Sequence, residues 1–330
     1  MEQSPAQGAA KRKLDDAAAE DDDPSNPIEF WVKRTRWPTH LFEPGIEHLL
    51  ARRRSSSSPS SSFTFMTPSD QRPREEKTAQ YRDSRYETLL ATKGSYMVKS
   101  KLDIAEESKA LCESLLEGHQ AYPENSLFRD DIFDLTCLKI QYKNEERILK
   151  DISRLIVPSA ENLATYGATH LDILRESVNE GWNNSIPLTG TRPQPDYSVG
   201  FSREAFTEEQ LDRLSPFIGD IFTDVSFFMA TYYMYFPFLA CEVQSGAGSL
   251  DVADRQNAHS MTLAVRGVVE LFRLVGRQNE VHRQILAFSI SHDNQSVRIY
   301  GHYPVIDGND TKYHRHHIHK FDFTGLDGGG

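Results

Sequence analysis

The chain has 330 residues, of which 38% are hydrophobic, and a formal net charge of −11. This length supports one large domain or two small ones. Nonspecific affinity for nucleic acid comes largely from cations that displace counterions from phosphates, so the acidic balance argues against a strong nonspecific binder, although basic residues can still cluster on one rim. The protein is expected to be soluble, because no stretch is long and apolar enough to cross a bilayer and the N-terminus lacks the apolar centre of a signal peptide.

Three cysteines, Cys112, Cys137 and Cys241, fit neither a disulfide framework nor a paired metal-ligand spacing. They indicate a reducing intracellular compartment. The basic cluster Lys11-Arg12-Lys13 is either a nuclear import signal or a chance run in a polar leader, in which case the protein is cytoplasmic.

Composition divides the chain into five segments. Residues 1–27 have too few apolar groups to offset the entropy of ordering, which predicts disorder. Residues 28–50 contain two tryptophans and predict a short segment that docks on the folded domain or, alternatively, on a partner. Residues 51–80 predict a disordered Ser/Pro-rich linker. Residues 81–158 predict a helical N-terminal extension, and residues 159–330 predict the core domain.

The first part of the core domain predicts a helix, a strand and a second helix. Ser159 is a favourable cap for a helix over 160–179, which would place Glu176 one turn from Glu180 on the same side. The strand begins at Asp196, and a helix capped by Thr207 follows.

The stretch from Phe236 to Phe272 predicts a buried strand, a glycine turn and a long amphipathic helix. Alternation along the strand places Glu242 and Gln244 on one face, among apolar residues. A carboxylate in such a strand is costly to bury unless it is paired or binds a metal. Extending the apolar stripe of the helix toward its start reaches Asn257 and Asp254, two polar residues that we expect near Glu242.

Two further strands, 285–291 and 297–303, predict a hairpin closed by a polar turn, and a C-terminal strand follows over 313–323. That last strand carries four histidines, which we interpret mainly as surface residues because alternation divides them between two faces.

This order of helices and strands, with acidic residues on two strands, resembles the PD-(D/E)XK nuclease superfamily. Pro195-Asp196 matches the PD step, Glu242 matches the second acid, and Glu176 could match the acid that the first helix sometimes contributes. The resemblance implies an α/β (α+β) fold with a restriction-endonuclease-like core, in which a mixed central sheet is flanked by helices behind a disordered N-terminal leader. It also implies that Asp196 and Glu242 bind Mg²⁺ or Mn²⁺, whose hard character suits oxygen ligands.

One position departs from that pattern. Gln244 stands where the superfamily usually has a lysine, so the positive charge of that side chain is missing, although glutamine can still orient a water molecule.

A second resemblance covers roughly 159–324 and rests on several long strings: NEGWNNSIPLTGTRPQPDYSVGF, YYMYFPFLACEVQ, ADRQNAHSMTLAVRGVVELF, ILAFSISHDNQSVRIYGHYPVIDG and HKFDFT. They look like a family of uncharacterised fungal domains that are regarded as relatives of the same nuclease superfamily. Members of that family tend to continue with helical sequence, so the resemblance implies a core domain that is truncated at its C-terminus.

Three hypotheses follow. The first is a metal-dependent nuclease with Asp196 and Glu242 as ligands, Gln244 and Glu176 as further catalytic residues, and Asp254 and Asn257 as supporting residues. The second is a catalytically degenerate nuclease fold that binds nucleic acid or protein without cleaving. The third is an interaction domain in which Arg255 or another cation neutralises Glu242.

Overall fold

The computed structural model of the chain describes residues 47–54, 74–118, 152–244 and 249–322, together with isolated helical positions between 132 and 147. The predictions for the leader and for most of the docking segment lie outside these residues. The elements described below belong to the unit His48–Gly330. None of the helices in the described ranges is both long and apolar enough to span a membrane.

A mixed seven-stranded sheet forms the centre of the domain, in the order β2-β9-β8-β7-β6-β4-β3. A separate two-stranded sheet pairs β1 with β5. The strands are β1 (Arg52–Arg53), β2 (Ser95–Tyr96), β3 (Leu174–Val178), β4 (Tyr197–Phe201), β5 (Asp224–Val225), β6 (Tyr235–Val243), β7 (Ala287–His292), β8 (Ser296–Asp307) and β9 (Asp310–Asp322).

Helices cover both faces of this sheet, so the prediction of a mixed α/β fold is confirmed at that level. The described helices are α1 (Arg74–Arg82), α2 (Arg85–Thr92), α3 (Glu106–Glu117), α4 (Arg154–Ile156), α5 (Ala160–Thr165), α6 (Glu208–Ile218) and α7 (Leu250–Leu274).

The long helix α7 packs on one face of the sheet through an apolar stripe. Met261, Val265 and Val269 lie on this stripe and are buried against Ala240 of β6 and Ala287 of β7. The opposite face of β6 is also covered, since Cys241 packs with Val157, Tyr197 and Val199. β6 is therefore buried on both faces, which agrees with its almost continuous apolar sequence.

The predicted N-terminal extension is integrated with the core domain. It contains the last two residues of α1 and all of α2, α3 and α4, and its strand β2 pairs in parallel with β9 at the edge of the central sheet. Tyr81, Tyr86 and Leu90 pack against Ala258 of α7. The predicted linker 51–80 also contains structure at both of its ends, where β1 pairs with β5 and α1 begins.

The predicted helix over 160–179 is wrong. Helix α5 ends at Thr165, and Gly167 then adopts a φ of 112°, which reverses the chain. The sequence continues as β3, and Glu176 pairs with Val199 of β4. A short stretch that contains both apolar and charged residues satisfies helix and strand patterns equally well, so strand pairing decided the outcome.

Other predicted elements are confirmed with shifted ends. Helix α6 has the predicted cap, because the Thr207 side chain accepts a hydrogen bond from the Gln210 backbone while the Gln210 side chain accepts one from the Thr207 backbone. The hairpin of β7 and β8 forms as predicted, and β8 continues four residues beyond the predicted end.

Candidate functional site

Asp196 and Glu242 lie opposite each other on the same face of the sheet. Tyr197 of β4 pairs with Cys241 of β6 in antiparallel register, so Asp196, one residue earlier, faces Glu242, one residue later. Directly opposed residues of an antiparallel pair point to the same side. This is the side that α7 covers, and each acid is only 1% exposed.

The Asp196 side chain is fixed by the end of β6. Its Oδ2 accepts a hydrogen bond of 2.7 Å from the backbone N–H of Val243. Its backbone carbonyl accepts a second hydrogen bond from the N–H of Asn179 at 2.9 Å. The carboxylate is therefore held at the edge of the β4–β6 ladder, with one of its oxygens in a charge-assisted hydrogen bond.

Glu242 lines a small crevice that four parts of the chain enclose. Helix α1, the loop before β4, strand β6 and helix α7 all contribute, and the lining residues are Thr78, Tyr81, Arg192, Pro193, Gln194, Glu242, Gln256 and Ser260. Burial raises the pKa of Tyr81, and Tyr86 and the negative charge of Glu242 raise it further. Tyr81 therefore remains a neutral phenol in the crevice.

Gln244 follows β6 and turns toward α7. Its Nε2 donates a hydrogen bond of 3.3 Å to Oε1 of Gln256, and its backbone N–H donates one to the carbonyl of His292. The amide that stands in the lysine position of the superfamily pattern is thus oriented by a second glutamine, and its Oε1 can accept a hydrogen bond from a water molecule.

Asp254 belongs to a different polar cluster, two strands away from Glu242. Its Oδ2 accepts hydrogen bonds from Arg298 Nη1 at 2.8 Å and from the Tyr300 hydroxyl at 3.1 Å. Arg315 Nη1 lies 3.7 Å from the same oxygen. Burial alone would lower the pKa of Arg298, but its hydrogen bonds to Asp251 and Asp254 raise it overall.

Asn257 lies between these two regions. Its Nδ2 donates to the carbonyl of Ile290 at 2.9 Å and to the hydroxyl of Ser291 at 3.0 Å. Ser291 of β7 is the register partner of Glu242. Two supporting residues were predicted on α7. Asn257 contacts β7, the strand next to Glu242, whereas Asp254 contacts the arginines of β8 and β9.

Glu176 does not join the pair, contrary to the prediction. It is the register partner of Val199, which alternates with Asp196 along β4 and therefore points to the other face. On that face the Glu176 carboxylate accepts hydrogen bonds from the Ser159 hydroxyl and the Glu161 backbone N–H, and it pairs with Arg154. It is thus a structural acid at the start of α5.

Arg255, predicted as a partner of Glu242, donates instead to the carbonyl of Tyr81 at 2.5 Å.

Sequence analysis missed the crevice residues Tyr81, Arg192, Gln256 and Ser260. Gln256 and Ser260 are four residues apart on α7 and thus share one side of the helix, which is a signal that the sequence contains. Tyr81 and Arg192 carry no such signal, because they come from segments that meet Glu242 only in the folded chain.

The described residues contain no group of three or more His, Cys, Asp or Glu side chains that could hold a metal ion. The two opposed carboxylates still fit Mg²⁺ or Mn²⁺, because Mg²⁺ is usually bound by one or two carboxylates, retains several waters and takes further oxygens from substrate phosphates. A soft-metal site is a poor fit, since the lining offers oxygen and amide groups and no thiol or imidazole.

The geometry defines an α/β domain with a buried pair of acids at one end of adjacent strands. The chain belongs to the family DUF7924, a domain of unknown function, whose model matches residues 132–329. No curated protein matches the chain.

Proposed function

We propose that this protein is a divalent-metal-dependent phosphodiesterase with a restriction-endonuclease-like core that acts on nucleic acid. One observation carries the proposal: Asp196, directly before β4, and Glu242, near the end of the adjacent antiparallel strand β6, are opposed when the register is continued by one residue, and both are buried. Two buried carboxylates at one place also form an oxygen donor set that suits a hard divalent cation.

The order of elements around the acids supports the same proposal. Each acid stands at the end of a strand, β4 and β6 are adjacent, and α7 follows β6 and returns the chain to β7, which is parallel to β6. This agrees with the arrangement that the resemblance to the PD-(D/E)XK superfamily implies.

In this proposal Asp196 and Glu242 hold one Mg²⁺ or Mn²⁺ ion. The ion would supply a more acidic bound water and neutralise charge on the phosphate. Asp196 is positioned by the Val243 backbone N–H, and Gln244, oriented by Gln256, positions a water molecule. Arg192, which lines the same crevice, contributes the positive charge that Gln244 lacks.

A second candidate is a degenerate nuclease fold that binds nucleic acid or protein without cleaving. The neutral amide of Gln244 in the lysine position favours it, as does the hydrogen bond of that amide to Gln256. The two candidates share the fold and differ in whether the carboxylates bind a metal and support hydrolysis. Nuclear entry through Lys11–Lys13 is compatible with both and belongs to the same proposal.

Calorimetric titration of the full chain with Mn²⁺ and Mg²⁺ tests the metal site directly. We expect binding in the parent protein and at least a 10-fold loss of affinity in Asp196→Asn and Glu242→Gln, which keep the shape of each side chain. Glu176→Gln is the matched control, because it removes the same charge on the opposite face of the sheet. Equal binding in all four proteins, or binding that only Glu176→Gln abolishes, contradicts the proposal.

Cleavage assays then separate the two candidates. Labelled single-stranded DNA, duplex DNA and RNA are incubated with Mn²⁺ and the parent protein or Glu242→Gln. Hydrolysis that requires Glu242 supports the phosphodiesterase. Metal binding that requires Glu242, with oligonucleotide binding and no hydrolysis, supports the degenerate fold.

A further inference from the structure

Helix α1 forms one wall of the crevice that contains Glu242. Thr78 and Tyr81, both on α1, line this crevice together with Gln256 and Ser260 of α7. Behind this wall Glu242 is 1% exposed, and Asp196, opposite Glu242 in the strand register, is buried to the same extent. A phosphodiester within a nucleic-acid chain carries sugars on both sides, so it cannot reach two acids that are buried to this extent.

The C-terminal end of α1 is held on one side of α7 by polar contacts and by the packing of Tyr81 with Ala258. The Tyr81 hydroxyl shares a hydrogen bond of 2.8 Å with His259 Nδ1, and the Tyr81 carbonyl accepts one of 2.5 Å from Arg255 Nε. One residue earlier, the Gln80 side chain accepts a hydrogen bond from the Thr191 hydroxyl at 3.0 Å, next to Arg192. α1 therefore connects α7 and the loop before β4 across the crevice.

The next helix, α2, also contacts His259 of α7, but its Tyr86 does not line the crevice that contains Glu242. Tyr86 of α2 packs edge-to-face against Tyr81 with ring centroids 4.6 Å apart, and its hydroxyl also reaches His259 Nδ1, at 3.2 Å. The two tyrosines thus share one histidine and differ in whether they line the crevice that contains Glu242.

We propose that α1 is an autoinhibitory cover: in the closed state described here it keeps nucleic acid away from Asp196 and Glu242, and the site is exposed when the Tyr81 contacts break. This inference rests on the proposed function. It adds that the N-terminal segment, which lies outside the matched family region 132–329, regulates access to a site within that region.

The size of the effect follows from population arithmetic. A ligand that binds only the open state has its apparent dissociation constant raised by the reciprocal of the open fraction. A cover that is open about 1% of the time weakens apparent binding about 100-fold, and a variant that opens it recovers up to that factor. We therefore expect opening variants to bind oligonucleotides at least about 10-fold more tightly than the parent protein.

The test compares Tyr81→Ala and Arg255→Gln with the matched control Tyr86→Ala in the full chain. Affinity for labelled single-stranded DNA, duplex DNA and RNA is measured by fluorescence anisotropy with Mn²⁺, cleavage is followed on gels, and Mn²⁺ binding is measured by calorimetry. We expect the first two variants to gain at least 10-fold in oligonucleotide affinity while Tyr86→Ala stays within 3-fold of the parent. Thermal unfolding identifies any variant that has lost its fold.

Several outcomes overturn the cover. One is equal oligonucleotide affinity in the parent and in both opening variants, and another is an equal gain in Tyr86→Ala. Absence of oligonucleotide binding in every variant that still binds Mn²⁺ also overturns it and leaves the metal site intact. Absence of Mn²⁺ binding in every protein marks instead the failure of the proposed function, so the two failures are distinguishable.

Hydrogen exchange on the unaltered chain provides an independent measurement. If α1 opens as a cover, the amides of 78–82 exchange together and at least 10-fold faster than those in the middle of α7. Exchange of 78–82 at the same rate as the middle of α7 shows that α1 opens only with the whole domain, which contradicts a cover even if the Tyr81 variant misfolds.

Discussion

Two polar regions lie under the first half of α7 on the same face of the sheet, and they differ in which charged groups they bring together. Around Asp254, one buried carboxylate meets Arg298 at 2.8 Å, Arg315 at 3.7 Å and the Tyr300 hydroxyl at 3.1 Å. Two strands away, where β4 and β6 pair, the two acids Asp196 and Glu242 face each other.

The difference separates an internal ion cluster from a candidate binding site. In the first region the fold itself supplies the opposite charges, so the cluster stabilises the packing of α7 on β8 and β9. In the second region two acids lie opposite each other beside a crevice that Glu242 and Arg192 both line, and clustered acids of this kind are common where a protein binds a cation or tunes proton affinity. Asn257, which bonds to Ser291, lies between the two regions.

The largest expected effect comes from the ion cluster. Arg298→Ala leaves Asp254 buried with its main partner removed, and we expect the free energy of unfolding to fall by about 3 kcal/mol. Urea unfolding measures this change. Arg277→Ala is the control, because Arg277 pairs with Glu280 at the surface and such pairs contribute about 0–1 kcal/mol. Equal losses in the two variants would contradict the structural role of the cluster.

A smaller effect is expected from pH. Burial lowers the pKa of His302 to about 3, with a further contribution from Arg315 of the ion cluster, and burial also lowers that of His259 to about 3. The unfolded chain takes up protons at these residues near pH 6.5 while the folded chain does not. These histidines therefore do not reduce the free energy of unfolding above pH 6.5, and they reduce it progressively as the pH falls from 6.5 toward 3.

At pH 5 each such histidine lowers the free energy of unfolding by about 2 kcal/mol relative to pH 7. Urea unfolding at pH 7 and pH 5 measures how steeply the free energy of unfolding depends on pH. We expect His302→Gln, beside the ion cluster, and His259→Gln, beside Tyr81, each to reduce this dependence. His170→Gln, at an exposed position, serves as the control. An unchanged slope in both buried variants would show that these histidines are protonated in the folded protein.

The smallest effect is expected at the carboxylate pair. In EDTA, Glu242→Gln removes one of two opposed negative charges and keeps the shape of the side chain, and we expect the free energy of unfolding to change by no more than roughly 1 kcal/mol. Added Mn²⁺ then stabilises the parent protein and not the variant. A loss of stability in EDTA as large as that of Arg298→Ala would mean that Glu242 stabilises the fold as strongly as the ion cluster does, and the contrast between the two regions would disappear.

Local patterns predicted much of the central stretch. Strand alternation put Glu242 on the face that α7 covers, and the Thr207 and Gln210 capping box identified the start of α6. The same local reasoning failed for Glu176, because its segment fits a helix as well as a strand and only pairing with β4 selects the strand. It also placed Asp254 beside Glu242, whereas contacts with β8 hold it in the ion cluster.

The sequence by itself determined strand β6, helices α6 and α7 and the β7–β8 hairpin, and it put Asp196 and Glu242 at strand positions, since alternation and helical periodicity are short-range properties. Only the tertiary structure decided which polar groups meet. Arg298 is far along the chain from Asp254, and Tyr81 is far from Glu242, so neither contact leaves a local pattern. The register of β4 on β6 joins Asp196 to Glu242, and the packing of α1 against α7 encloses them, because both depend on how distant segments bury their apolar faces together.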